Sequence, residues 1–155
     1  MWNLNNSCCC KPTITSNVPI CNVDLALTSD KCISNVCGNI EFTLTITNNS
    51  SNTIYCSTLN LNTEKCLAIN PCNILVNDVL VENANPCSID IGTIAPGAIV
   101  TVRYTAVVMS CCRCIKYRVP MTFGVCCCFE QKCFKTLSNV RLIQVCCCCC
   151  NNNNC

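Results

Sequence analysis

Residues 40–47, with the sequence IEFTLTIT, decide the fold prediction for this chain. Apolar side chains occupy every second position, and Glu41 and threonines occupy the positions between them. Successive side chains of a strand point to opposite faces, so this period of two predicts a strand with one buried face and one solvent face. Residues 48–52, NNSSN, follow at once and are typical of a turn. One amphipathic strand followed by one polar turn is the unit that the rest of the chain repeats.

Similar strand patterns occur on both sides of this segment. They cover residues 23–28, 53–62, 74–81, 89–92, 99–109, 115–126 and 134–146. In residues 53–62 we expect Tyr55, Leu59 and Leu61 to share one face, and we expect a tight turn at Pro96-Gly97. The sequence therefore predicts an all-β fold of about eight strands, an antiparallel sandwich of immunoglobulin-like or jelly-roll type.

Length and charge restrict the classes of partner. A chain of 155 residues is long enough for one complete sandwich core. Its net charge of +2 and its 12% of charged residues give no electrostatic footprint for nucleic acid or for an anionic membrane.

We expect three parts: a flexible cysteine-bearing N-terminal connector (1–20), the sandwich domain (21–146) and a tail rich in cysteine and asparagine (147–155).

The chain contains 23 cysteines, an odd and very high number for its length. Met1 to Asn6 lack the basic and apolar regions of a signal peptide. We therefore expect a protein made without a signal peptide, which is assembled and oxidised outside the cell or after cell lysis. Neighbouring Cα atoms lie about 3.8 Å apart, too close for an unstrained disulfide, so adjacent cysteines need separate partners. We predict that cysteines at both ends cross-link subunits: Cys8, Cys9 and Cys10 in the connector, and Cys146, Cys147, Cys148, Cys149, Cys150 and Cys155 in the tail.

The other cysteines are sorted by position and by strand face. Isolated ones flank loops or strand ends and are predicted to be intradomain staples: Cys32, Cys37, Cys56, Cys66, Cys72 and Cys87. If the alternation of residues 100–108 continues, Cys112 and Cys114 point inward and Cys111 outward. In the next strand the inward set is predicted to be Tyr117, Val119, Met121, Phe123 and Val125. The same alternation places Cys127 inside, and Cys126 and Cys128 outside.

Two resemblances add to this interpretation. Residues 23–28 (VDLALT), 40–49 (IEFTLTITNN) and 91–97 (IGTIAPG) resemble the immunoglobulin-like "conserved repeat" domain of bacterial surface proteins. The resemblance covers roughly residues 21–109, and the IGTIAPG turn is its most specific part. The cysteine clusters on an all-β domain with a cysteine-bearing arm are similar to subunits of bacterial endospore appendages, the disulfide-linked pili of Bacillus and related spore formers.

These features predict a structural subunit that self-assembles into an extracellular fibre on a spore surface. The arm of one copy would dock on a sheet edge of the next, and disulfides would lock the contact. The candidate acceptors are Cys21, Cys111, Cys112, Cys126 and Cys128. The expected partners are other copies of the chain and related cysteine-rich proteins of the spore surface.

Two other readings compete. A cysteine-rich coat or exosporium protein could cross-link into a sheet or crust instead of a fibre. A thiolate protein could bind soft metal ions through Cys111, Cys112 and Cys114, but the chain has no histidine ligand and its apolar alternation indicates a self-sufficient core. We expect neither a resident metal nor a cofactor. We expect no enzymatic activity, because a cysteine nucleophile lacks a histidine base and no phosphate-binding glycine loop occurs.

Overall fold

A computed structural model describes residues 22–109, 114–127 and 130–146. One short 3-10 helix, Pro71–Asn73, lies among the strands. The described residues form thirteen strands: β1 Val23–Ser29, β2 Ile33–Asn35, β3 Asn39–Asn48, β4 Ile54–Leu59, β5 Leu67–Ile69, β6 Leu75–Val76, β7 Val79–Leu80, β8 Ile89–Ile94, β9 Ile99–Val108, β10 Cys114–Tyr117, β11 Pro120–Cys127, β12 Glu130–Leu137 and β13 Arg141–Cys146.

The strands form three sheets that pack as a sandwich. Sheet I has the order β1-β3-β9-β6-β7, with β5 also paired to β9. Sheet II has the order β10-β13-β2, and sheet III has the order β12-β11-β4-β8. All pairings among the described strands are antiparallel except β13 with β2. The predicted all-β antiparallel sandwich is confirmed.

Alternation of apolar side chains produces the inner face of sheet I. In β3, Ile40, Phe42, Leu44 and Ile46 are buried, and their neighbours along the strand are more exposed. The predicted inward set of β9, from Val100 to Val108, is buried in the same way. The two strands pair over nine residue pairs. This double row of apolar side chains forms one wall of the core, because the period of two puts every second residue on one face.

A long two-stranded hairpin forms the central part of the opposite layer. Its first arm is β10 followed by β11, and its second arm is β12 followed by β13. Each arm lies in sheet II at one end and in sheet III at the other. The buried alternation continues through the junction, with Tyr117, Val119 and Met121 all inward. The strand predicted at 115–126 is thus divided between two sheets without losing its phase.

Aromatic side chains join the two layers. The ring of Phe42 lies 5.5 Å from that of Tyr104, and 4.8 Å from that of Tyr117 in sheet II. The two tyrosine hydroxyls are 2.9 Å apart, and the Tyr117 hydroxyl donates to the Leu61 carbonyl at 2.8 Å. Each buried phenol therefore has a polar partner, as buried tyrosines require.

Two local predictions are wrong. Tyr55 is 37% exposed, and Ile54 occupies the core instead. The cause is a bulge: the pairing of β4 shifts register against β8 beside Cys56, whose φ is +51°.

The strand predicted at 74–81 is a hairpin of β6 and β7, because Asn77 and Asp78 both adopt positive φ and form its turn.

The sandwich has two ends, which we call poles. At the N-terminal pole, β1 begins beside the end of β3, and the Asn49 amide donates to the Asn22 carbonyl at 2.8 Å. At the C-terminal pole, Cys146 lies beside Asn35, and the nearby Cys37 amide donates to the Val108 carbonyl at 2.8 Å. The ten residues of β3 separate the poles by about 30 Å at the usual rise of an antiparallel strand.

Turn contacts hold the N-terminal pole together. The buried Asn48 side chain donates to the carbonyls of Asn52, Ile94 and Ala95 at 2.8–3.2 Å. Gly97 has φ of +73°, and the Ala98 amide donates to the Ala95 carbonyl at 3.1 Å. The predicted Pro96-Gly97 turn is confirmed, with glycine where a positive φ is required.

The buried tyrosines predict a loss of stability at high pH. Burial raises the pKa of Tyr104 and of Tyr117 well above the usual value of about 10. Above about pH 10 the unfolded chain releases these protons and the folded chain retains them, so the free energy of unfolding falls as pH rises, by up to about 1.4 kcal/mol per pH unit for each tyrosine. Denaturant unfolding at a series of pH values measures this slope.

Tyr117→Phe should reduce the slope by about half, and should lower stability near neutral pH by about 1–3 kcal/mol because the Leu61 carbonyl loses its donor. Tyr55→Phe is the matched control near neutral pH, where we expect little change. A slope that is unaltered in Tyr117→Phe would contradict the assignment.

Candidate functional site

The chain enters and leaves the sandwich at opposite poles. Residues 1–21, which carry Cys8, Cys9, Cys10 and Cys21, precede Asn22 at the N-terminal pole. The cysteine tail follows Cys146 at the C-terminal pole. Residues 1–21 and 147–155 lie outside the described residues, so the predicted roles of their cysteines stay predictions. The points where these segments join the domain are nevertheless fixed.

One exposed surface of the sandwich carries several thiols. We define the thiol face as the outer face of sheet II together with the two cysteines that flank β2. Pairing places Cys114 beside Gln144 and Gln144 beside Ile33, while Cys146 lies beside Asn35. All these residues are exposed. The exposed members of the thiol face are Cys32, Ile33, Asn35, Cys37, Cys114, Lys116, Leu142, Gln144 and Cys146.

The pairing register keeps the thiols of this face apart. Cys114 lies opposite Gln144, so Cys146 is its diagonal neighbour on β13. Diagonal neighbours have Cα atoms about 7–8 Å apart, beyond the roughly 4.4–6.8 Å that an unstrained disulfide needs. Cys32 and Cys37 lie before and after the extended strand β2, and are free thiols in the structure. The face thus presents four separate thiols to solvent.

Of the candidate acceptors, Cys126 lies within the described residues. Cys126 is an exposed free thiol near the N-terminal pole, two residues beyond the pairing of Gly124 with Tyr55. Its predicted outward direction is confirmed. Cys21, Cys111, Cys112 and Cys128 lie outside the described residues, so their predicted role as acceptors stays a prediction.

The predicted direction of Cys114 is wrong. It was expected to point inward with the phase of residues 100–108, but Cys114 is exposed and Ile115 is buried. The phase changes between β9 and β10, where the chain passes from sheet I to sheet II. Sequence reasoning therefore missed Cys114 as a surface thiol. The apolar run Ile115, Tyr117, Val119 was the signal that could have found it.

The predicted staples have different environments. Cys66 is disulfide-bonded, as is Cys133 in β12, which was not among the predicted staples. Cys56 is partly buried at the bulge of β4. Cys72 and Cys87 are exposed free thiols in the structure, as are Cys32 and Cys37, and none of these four forms a staple there.

The sheet edges determine where another strand can add. Edge strand β1 is partly closed by Asn139: its side chain accepts from the Leu27 amide at 2.6 Å and donates to the Leu27 carbonyl at 3.0 Å. This amide imitates a neighbouring strand and protects the edge. In sheet II the edge strands are β10 and β2, and both border the thiol face. The β1 edge, where Asn139 occupies the Leu27 amide and carbonyl, is therefore the less accessible of these edges at that point.

Within the described ranges, no group of three or more Cys, Asp or Glu side chains is placed to hold a metal ion. In that part of the chain there is also no helix long and apolar enough to cross a membrane.

Comparison with known proteins shows the fold alone. No protein-family model and no curated protein matches the sequence. Among solved structures, the chain is similar to BcpA, the major pilin subunit of Bacillus cereus, with a TM-score of 0.51 and 8% identity over 81% of this chain. The chain spans 40% of the length of that pilin chain. The CARDB domain of the PF1109 protein from Pyrococcus furiosus gives a TM-score of 0.38 and 6% identity, over 84% of this chain and 97% of that one. We transfer nothing from this second, weaker likeness.

The contacts of Asn139 yield a stability prediction. Asn139→Ala removes both hydrogen bonds to Leu27, so the free energy of unfolding should fall by about 1–3 kcal/mol. Denaturant unfolding measures the change. Asn35→Ala, at an exposed position of the thiol face, is the control and should change stability little. Equal effects of the two substitutions would contradict a special role for Asn139.

Alkylation tests the distribution of thiols. In protein purified without reductant and kept unassembled, Cys114, Cys146, Cys72 and Cys87 should react fast with iodoacetamide, because they are exposed. Cys66 and Cys133 should react only after reduction, because they are disulfide-bonded. Peptide mass spectrometry with and without reductant gives both results, and labelling of Cys133 before reduction would contradict them.

Proposed function

We propose that this chain is a structural subunit of an extracellular fibre on the surface of a bacterial spore. In this proposal the N-terminal segment of each copy docks on a neighbouring copy, and disulfides between copies lock the contact. The single observation that carries the proposal is that the two cysteine-bearing ends of the chain join the sandwich at opposite poles.

Opposite poles favour an open assembly. A contact between the N-terminal segment of one copy and the C-terminal pole of the next uses two different surfaces, so it is heterologous. Repetition of a heterologous contact gives a ring if the rotation closes and a filament if it does not. A segment of 21 residues reaches about 70 Å when fully extended. It can therefore pass along a neighbouring domain whose poles are about 30 Å apart.

The described domain supports the use of cysteines between copies. Its described buried residues are apolar or aromatic apart from Ser34, Asn48, Ser57 and Ser138, and none of them is a cysteine. Seven described cysteines are free, exposed thiols: Cys32, Cys37, Cys72, Cys87, Cys114, Cys126 and Cys146. Since a sandwich of this size is stable through burial of apolar surface, these thiols are available for other copies.

The sandwich fold shared with a pilin is compatible with a fibre. The assignment to a spore surface rests on the resemblance to endospore appendage subunits.

Each cross-link would join two thiols, and two protons and two electrons would pass to an oxidant such as dissolved oxygen. Assembly would therefore be completed in an oxidising environment outside the cell.

Electron microscopy and non-reducing electrophoresis of the oxidised full-length protein test the proposal. We expect filaments, and covalent species too large to enter the gel that return to monomer with reductant. The triple variant Cys8→Ser, Cys9→Ser, Cys10→Ser should lose the long covalent species.

The double variant Cys72→Ser, Cys87→Ser is the control, since both thiols are exposed and belong to neither terminal segment. It should polymerise like the unmodified chain. Monomers without reductant, or flat sheets in place of filaments, would refute the fibre.

A further inference from the structure

The thiol face has a composition that differs from an ordinary solvent face. Leu142 and Ile33 are each 54% exposed, on adjacent strands of sheet II. Lys116 is the one charged side chain among the members of the face as defined above. Apolar side chains surrounded by free thiols, with little charge to repel an identical surface, are suited to contact with another protein.

The thiols themselves indicate which molecule would bind the thiol face. The register of β10 and β13 prevents an unstrained bond between Cys114 and Cys146, and all four cysteines of the face are free thiols in the structure. An occupant that uses several of them must itself present several thiols. A second copy of this chain does so with the same surface.

Symmetry also favours a second copy. Two copies related by a twofold axis would each bring the apolar side chains and the four thiols of this face to the same contact. Such an isologous contact closes on itself and does not propagate.

We propose that the thiol face is a second subunit interface, at which two copies pack face to face and become cross-linked through Cys32, Cys37, Cys114 and Cys146. The proposal rests on the proposed function, because it gives this fibre subunit a lateral contact in addition to the head-to-tail one. Each cross-link forms one sulfur–sulfur bond from two thiols, and dissolved oxygen accepts the two electrons and two protons. Head-to-tail contacts make the filament, and face-to-face contacts join neighbouring filaments.

The test uses the full chain with Cys8→Ser, Cys9→Ser and Cys10→Ser, which removes the cysteines of the connector. After oxidation by dissolved oxygen, we expect covalent dimers on a non-reducing gel. Adding Cys32→Ser, Cys37→Ser, Cys114→Ser and Cys146→Ser should reduce the dimer fraction at least tenfold. The control set Cys72→Ser, Cys87→Ser and Cys126→Ser, added to the same background, should leave dimers unchanged.

Mixing copies of natural isotope content with copies labelled with nitrogen-15 shows which links join two chains. Trypsin releases Cys114 in the short peptide 114–116. We expect this peptide in disulfides that combine light and heavy chains. Links of Cys114 within one chain only, or dimers that persist without the four face thiols, would overturn the proposal.

A substitution that keeps every cysteine tests the packing. Leu142→Lys puts a charge in the apolar centre beside Lys116 and should slow dimer formation at least fivefold. Val79→Lys, on the exposed β6–β7 hairpin, is the matched control and should not slow it. Equal rates for both variants would overturn face-to-face packing. The outcomes also separate the two proposals, because dimers can form in the variant that lacks the connector thiols whether or not the unmodified chain makes filaments.

Discussion

The contact of Tyr117 with the opposite layer is the interaction on which the architecture depends. Its ring packs on Phe42, and its hydroxyl joins Tyr104 and the Leu61 carbonyl. These partners belong to sheet I and to the segment that follows β4 of sheet III, while Tyr117 belongs to sheet II. One side chain thus connects sheets I and II with the segment that follows β4, at a point from which water is excluded. Low local polarity makes each hydrogen bond there stronger and each unpaired group more costly.

The long hairpin also depends on a continuous row of buried side chains. Its inward side chains continue without a break from Ile115 through Tyr117 to Val125, so the chain can pass from sheet II to sheet III without losing its buried face. Because the hairpin spans the whole layer, its open end with Cys114 and Cys146 lies at the C-terminal pole. The end near Cys126 lies at the other pole. The polarity of the subunit is therefore a property of the core.

Cysteines in this domain occupy the surface far more than the core. Apolar strands supply the buried side chains, whereas thiols lie on outer faces, in turns and at strand ends. The division differs from that of small disulfide scaffolds, in which cross-links replace a core that is too small. A domain that folds through its core and keeps its thiols outside is suited to the proposed assembly, in which copies would dock first and be cross-linked afterwards.

Sequence alone determined the all-β class, the inward faces of β3, β9 and β11, and the Pro96-Gly97 turn, because a period of two and a required positive φ are local properties. It also predicted the outward direction of Cys126. Tertiary structure decided the features that depend on pairing between distant strands. The bulge at Cys56 exposed Tyr55, and the passage between sheets reversed the expected direction of Cys114. The parallel pairing of β2 with β13 brought the two cysteines that flank β2, Cys32 and Cys37, to the strand that ends at Cys146. The alternation of buried and exposed side chains can be predicted along one strand. The strands that pair with it are determined only when the whole core forms.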